Sequence, residues 1–211
     1  MLQANQNGVD RRTRILDAAE TCFVRSGFHR TTMQDVAAEA GMSAGNLYRY
    51  FPSKDAIVAG LSERDRGEVT ESFAFMDEAG RDFMASFAEL GRRHFEDEPR
   101  EKAVLCLEIW CEATRNPSLA KLTADFSNDI VDRLTGLLDA AAASGNISPA
   151  MDTRTIATLI CTIADGIMVR RATLPDYEPA REIPAVMHLI CALVSGAVPA
   201  ICSTPSAENT P

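Results

Sequence analysis

Apolar residues recur three or four positions apart along nearly the whole chain, and period-two runs of Val and Ile are absent. That spacing lines one face of an α-helix and predicts an all-α protein. Near the N-terminus, Ile15, Leu16, Ala19, Phe23 and Val24 give a face to a helix over about Arg11–Arg25, which Gly27 stops. Phe28 is then free to cap a small core. Thr32-Met-Gln-Asp35 has the spacing of a capping box and opens a second helix, with Val36, Ala37 and Ala40 inward. Gly41 allows a sharp turn. Met42 plugs the core, and Ser43 caps a third helix to about Tyr50 with Leu47 and Phe51 inward. Pro52 breaks it, and Ser53 caps the next. Short helices joined by a tight turn predict a helix-turn-helix, whose last helix enters the DNA major groove.

Beyond this head the same periodicity predicts a long connecting helix over about Ser53–Asp77. Further helices follow over about 81–97, 100–115, 118–144, 152–173 and 180–201, punctuated by Pro99, Asn116-Pro117, Gly145-Asn146 and Pro175. The expected organisation is a disordered arm over 1–9, a DNA-binding head over 10–53, a helical body over 54–202 and a disordered tail over 203–211. Ile156, Leu159, Ile160, Ile163 and Ile167 form one apolar face, and Val186, Leu189, Ile190, Leu193 and Ala197 another. Two such helices from each of two chains make a four-helix bundle, the expected dimer interface. Residues 183–202 have about the length of a membrane span. Two prolines, a histidine and the lack of flanking basic anchors argue for a buried helix instead.

The net charge of −9 changes the picture less than its distribution does. Residues 1–66 carry nine Lys/Arg against eight Asp/Glu, and residues 67–211 carry twelve against twenty-two. The acid therefore belongs to the body. Arg11, Arg12, Arg14, Arg30, Arg49 and Lys54 remain to meet phosphate. The polar N-terminus, MLQANQNGVDRRTR, is not a secretory signal. The six cysteines, at 22, 106, 111, 161, 191 and 202, lack metal spacing and read as small buried thiols. Cys106 and Cys111 are the candidates for redox sensing, but five residues apart they point away from each other. His94 and His188 have no partner spacing for a metal. No nucleophile–base pair, phosphate loop or metal signature points to an enzyme or a cofactor.

The third helix carries the chemistry. Ala44, Gly45, Asn46, Tyr48, Arg49 and Tyr50 face outward, a set suited to sugar-phosphates and base edges. Lys54 sits at a helix N-terminus, where N–H groups, helix dipole and ammonium can converge on one phosphate. The stretch from Arg11 to Arg64 resembles the DNA-binding domain of the TetR family of bacterial transcriptional regulators. The matching residues are Ile15, Ala18, Phe23, Gly27, Thr32, Val36, Ala37, Ala40, Gly41, Ser43, Gly45, Tyr48, Tyr50, Phe51, Lys54 and Asp55. The resemblance implies about nine helices, with phosphate contacts from Thr32, Ser43, Tyr48, Tyr50 and Lys54. It places Ala44, Gly45, Asn46 and Arg49 near bases. Tyr50 reads equally well as core packing.

The family resemblance also implies a ligand cavity beside the helix that holds Trp110. Its candidate lining is Phe83, Phe87, Phe95, Cys106, Ile109, Trp110, Ala113, Phe126, Ile130 and Ile167, suited to a hydrophobic small molecule. Glu108 and Glu112, four apart, read either as a site for a cation beside Trp110 or as structural ion pairs. For the pairs, Arg115 and an arginine of another helix are the expected partners. The implied protein is a cytoplasmic homodimeric repressor, released from a palindromic operator by a small effector. The alternative, motivated by the acidic total, is a binding module that no longer reads DNA.

Overall fold

The computed structural model describes the backbone of residues 2–76 and 82–198 and the side chains within 11–71 and 82–198. Among the described residues the chain forms nine helices and no strand. The head holds α1 (Leu2–Ser26), α2 (Met33–Glu39) and α3 (Ala44–Tyr48). The connecting helix is α4 (Lys54–Met76). The body holds α5 (Phe83–Asp97), α6 (Arg100–Ala113), α7 (Pro117–Ala143), α8 (Thr153–Thr173) and α9 (Pro179–Ser195). Asp82, Asn116 and Asp152 cap α5, α7 and α8, each accepting backbone N–H groups of the first turn.

Two boundaries differ from expectation. Helix α1 begins at Leu2 rather than near Arg11. No proline interrupts the segment, and its one glycine, Gly8, costs a helix only about 1 kcal/mol. Helix α9 stops at Ser195 rather than running to residue 201. Gly196 there adopts φ +82°, and the amides of Ala197 and Val198 turn back onto the Ala192 carbonyl. Ala197, expected on an interface helix, therefore lies beyond its end. The expected tail over 203–211 lies outside the described residues.

Two apolar clusters organise the molecule. The first is the head core, with Ile15, Phe23, Val36, Leu47, Phe51 and Ile57 fully enclosed. Burying each such side chain stabilises the fold by about 1.5–3 kcal/mol. This cluster includes Leu105 of α6 and Leu119 of α7, with Ile109, Ala113 and Leu122 packed on it. Head and body therefore share one core. The second cluster lies among α5, α7, α8 and α9, around Phe87, Leu138, Ile156, Ile183 and Ile190. No helix of the described residues is long and apolar enough to cross a membrane.

Gly196 is the most constrained turn. A Cβ added there would lie 2.2 Å from the Ser148 carbonyl oxygen, in a backbone conformation that L side chains rarely adopt. Gly196→Ala is expected to lower unfolding free energy by at least about 2 kcal/mol, combining the left-handed penalty with the clash. Urea denaturation checks this, and an unchanged midpoint would contradict the turn.

Candidate nucleic-acid interface

The reading surface is assembled by local caps. Thr32 Oγ1 accepts from the Asp35 amide at 3.2 Å, and Asp35 Oδ2 accepts from the Thr32 amide at 2.8 Å. The Thr32 hydroxyl, donating to Asp35 Oδ2 at 2.7 Å, and then the Thr32 amide hold the Asp35 carboxyl below its usual pKa. Gly41 turns the chain with φ +66°, and Ser43 caps α3 by accepting from the Asn46 amide at 3.3 Å. Leu47 is then wholly buried, and Tyr48 stands 50% exposed on the opposite face. Thr32, Ser43, Gly45 and Arg49 are exposed, while Ala44 and Asn46 are half-buried. Ala44 and Tyr50 both pack half-buried on the head core, and Tyr50 also pairs with the Arg11 guanidinium, whose pKa that bond raises. Arg12 stacks over Phe51 at 4.5 Å from the ring centroid.

Lys54 is placed otherwise than expected. Its ammonium reaches back to donate to the carbonyls of Phe28 at 2.7 Å and His29 at 3.2 Å, and lies 4.6 Å from the Phe28 ring centroid. Two of its three donors are thus committed to the loop between α1 and α2 rather than free for phosphate. Partial burial holds its pKa below the usual lysine value, with Glu112 and Asp55 pulling it back up.

The same loop is held from the body. Glu108 of α6 accepts from the Phe28 amide at 2.5 Å. The partner of Glu108 is thus a backbone N–H rather than the expected arginine. The apolar flanks of this glutamate are the Leu105 and Ile109 contacts that bring α6 against the head. Glu112 has its expected neighbour in Arg115, at a loose 3.9 Å. Asn116, at the start of α7, donates to Asp55 of α4 at 3.1 Å. Thr31, which the sequence pattern does not single out, is buried and donates to the carbonyls of Cys22 and Gly27. A threonine beside a capping threonine was its only signal.

The candidate ligand residues fall in different parts of the packing. Phe87, Phe95 and Ile167 are buried in the second cluster with Phe83 against it, and Phe83 stacks on Phe87 at 5.8 Å. Ile109 and Ala113 pack on the head core instead. Cys106, Trp110, Phe126 and Ile130 are half-buried and belong to neither cluster. The candidate dimer residues also divide. Ile156, Ile160, Ile190 and Leu193 are buried within the chain, with Ile163 and Val186 against them. Leu159, 37% exposed, and Leu189, 50% exposed, face outward. The buried face serves the chain's own core, and periodicity alone does not separate its enclosed centre from its exposed rim. Gly166 makes no close helix contact within the chain: a Cβ there would meet open space.

A short exposed helix carrying tyrosine, arginine and asparagine behind a glycine turn defines a helix-turn-helix DNA reader. The comparisons agree. Residues 15–61 match the profile of bacterial regulatory proteins of the tetR family. Residues 92–195 match that of the BetI-type transcriptional repressor C-terminal region. The regulator UidR of Escherichia coli K12 is 28% identical over 160 residues, covering 74% of this chain and 79% of that protein. The structure of Salmonella enterica GusR superposes with a TM-score of 0.72 at 26% identity, covering 88% and 95%. FadR from Bacillus subtilis, solved in complex with stearoyl-CoA, shares the fold with a TM-score of 0.70 at 21% identity, covering 88% and 98%. The chain belongs to the TetR family and is a DNA-binding transcriptional regulator.

Burial pushes the Cys106 thiol up to about 11, whereas Cys111 is exposed. The thiolate is the nucleophile, so at about pH 8 iodoacetamide should label Cys111 first and spare Cys106. Mass mapping of partial digests checks this, and equal labelling would contradict the assigned burial.

Proposed function

We propose that this regulator is a homodimeric repressor that binds a palindromic operator and leaves it when a small molecule occupies its body. The carrying observation is the outward surface of α3, with Asn46, Tyr48 and Arg49 projecting from a head whose core is shared with the body. Thr32, Ser43 and Tyr48 are assigned to phosphates, and Ala44, Gly45, Asn46 and Arg49 approach base edges. Lys54 acts on DNA mainly by holding the loop beside this surface.

One short helix is a weak reader, and two reach half-sites about one helical turn apart. The outward stripe of Leu159 and Leu189, with open space at Gly166, supports a dimer through α8 and α9. Effector binding draws support from the shared fold of the FadR that was solved with stearoyl-CoA. Release requires the effector to bind the DNA-incompetent arrangement more tightly than the competent one. A cytoplasmic location follows from this role.

Footprinting the purified protein on DNA flanking its own gene, at stated salt, tests the reading. A protected palindrome is expected. Tyr48→Ala should weaken binding by about tenfold or more while leaving thermal stability unchanged. Lys54→Gln should lower both. Absence of protection at low salt would overturn the proposal. Leu189→Arg should convert the dimer to folded monomers in sedimentation velocity, and a persisting dimer would exclude this interface.

A further inference from the structure

A cavity of about 90 Å³ opens where the α5–α6 turn meets the end of α8 and the start of α9. Its walls include Glu98, Arg100, Arg171, Pro175, Tyr177 and Pro179. Arg171 is only 2% exposed. Its Nη2 donates to the Phe95 carbonyl, but Nε and Nη1 have no acceptor among the described residues. The Tyr177 hydroxyl, on the same cavity, is buried with the Arg171 guanidinium as its polar neighbour, and its ring lies 5.6 Å from the guanidinium carbon. Glu98, on the same wall, makes its ion pair with Lys102 at 3.0 Å. Arg100 adds a second guanidinium, one nitrogen of which donates to the Ala172 carbonyl at 2.8 Å.

Burying a guanidinium without full hydrogen bonding costs several kcal/mol, and proteins normally match such a group. Here the donors line a cavity that is too small for a drug-sized molecule, since those need about 300–1,000 Å³. It has room for several waters or one small polar group, given about 30 Å³ per water in the liquid. We propose that this cavity binds the carboxylate of a small organic acid, held by Arg171 and the Tyr177 hydroxyl. A monoanion is favoured over a phosphate dianion because Glu98 shares the wall and repels a second negative charge. The proline-rich rim suits the apolar body of such an acid.

The assignment deepens the effector reading above, yet it is tested without DNA, so the two fail separately. The full-length protein is titrated with sodium propionate at constant ionic strength against sodium chloride, by calorimetry. Saturable binding is expected, with inorganic phosphate weaker. Tyr177→Phe should weaken propionate by roughly three- to tenfold, the size of one lost hydrogen bond. Arg171→Met should abolish binding. Because that variant risks misfolding, Glu98→Gln supplies the opposite test: removing the neighbouring negative charge should tighten propionate by about threefold or more. No saturable propionate binding, phosphate binding as tight as propionate, or affinities unmoved in both Tyr177→Phe and Glu98→Gln would overturn the proposal.

Discussion

The arrangement of the molecule depends on one residue's peptide groups. Phe28, in the loop between α1 and α2, gives its N–H to Glu108 of α6 and its carbonyl to Lys54 of α4. Its ring is buried against Phe23, with the centroids 5.2 Å apart, and the Lys54 ammonium lies on it. Head, connecting helix and body thus meet at a single clamp. The charge-assisted bonds from Glu108 and Lys54 are stronger than neutral ones. Leu105, Ile109 and Ala113 of α6 add apolar contact beside them. A displacement of α6 therefore cannot leave the head's loop where it was.

Around the clamp, ion pairs join the same elements. Arg64 of α4 pairs with Glu20 at 2.5 Å and Asp17 at 3.1 Å on α1. Asp65 meets Lys102 of α6 at 3.8 Å, and Arg66 meets Asp129 of α7 at 3.6 Å. Apart from Asp17 these side chains are half-buried, so each pair loses hydration as it gains attraction, and salt screens it less than a surface pair. They tune the joint, whereas the shared core and the Phe28 clamp define it. Such a joint suits a regulator, because strain in the body has a short route to the reading surface.

The head was legible in the sequence because its signals are local. Thr32, Ser43 and Ser53 each cap a backbone N–H three residues ahead, and Gly41 marks the turn itself. The long-range features were not legible. Glu108 lies eighty residues from Phe28, and a glutamate on an apolar helix shows that it needs a donor without showing which one. The position of Lys54 at a helix start was readable, but the direction of its flexible four-carbon stem was not. In α8 and α9, Leu159 and Leu189 border the buried face that holds Ile156 and Ile190, and helical spacing does not tell its rim from its centre. Arg171 was passed over because only packing shows that a basic residue near a helix end is enclosed.

The clamp is tested most directly by amide hydrogen exchange at Phe28, followed by NMR in the wild type and in Glu108→Ala. The account predicts a protected Phe28 amide in the wild type. In the variant that amide should exchange much faster, while the amides of α6 keep their protection. An unprotected Phe28 amide in the wild type, or protection unchanged in Glu108→Ala, would contradict the clamp and with it the mechanical link between body and head.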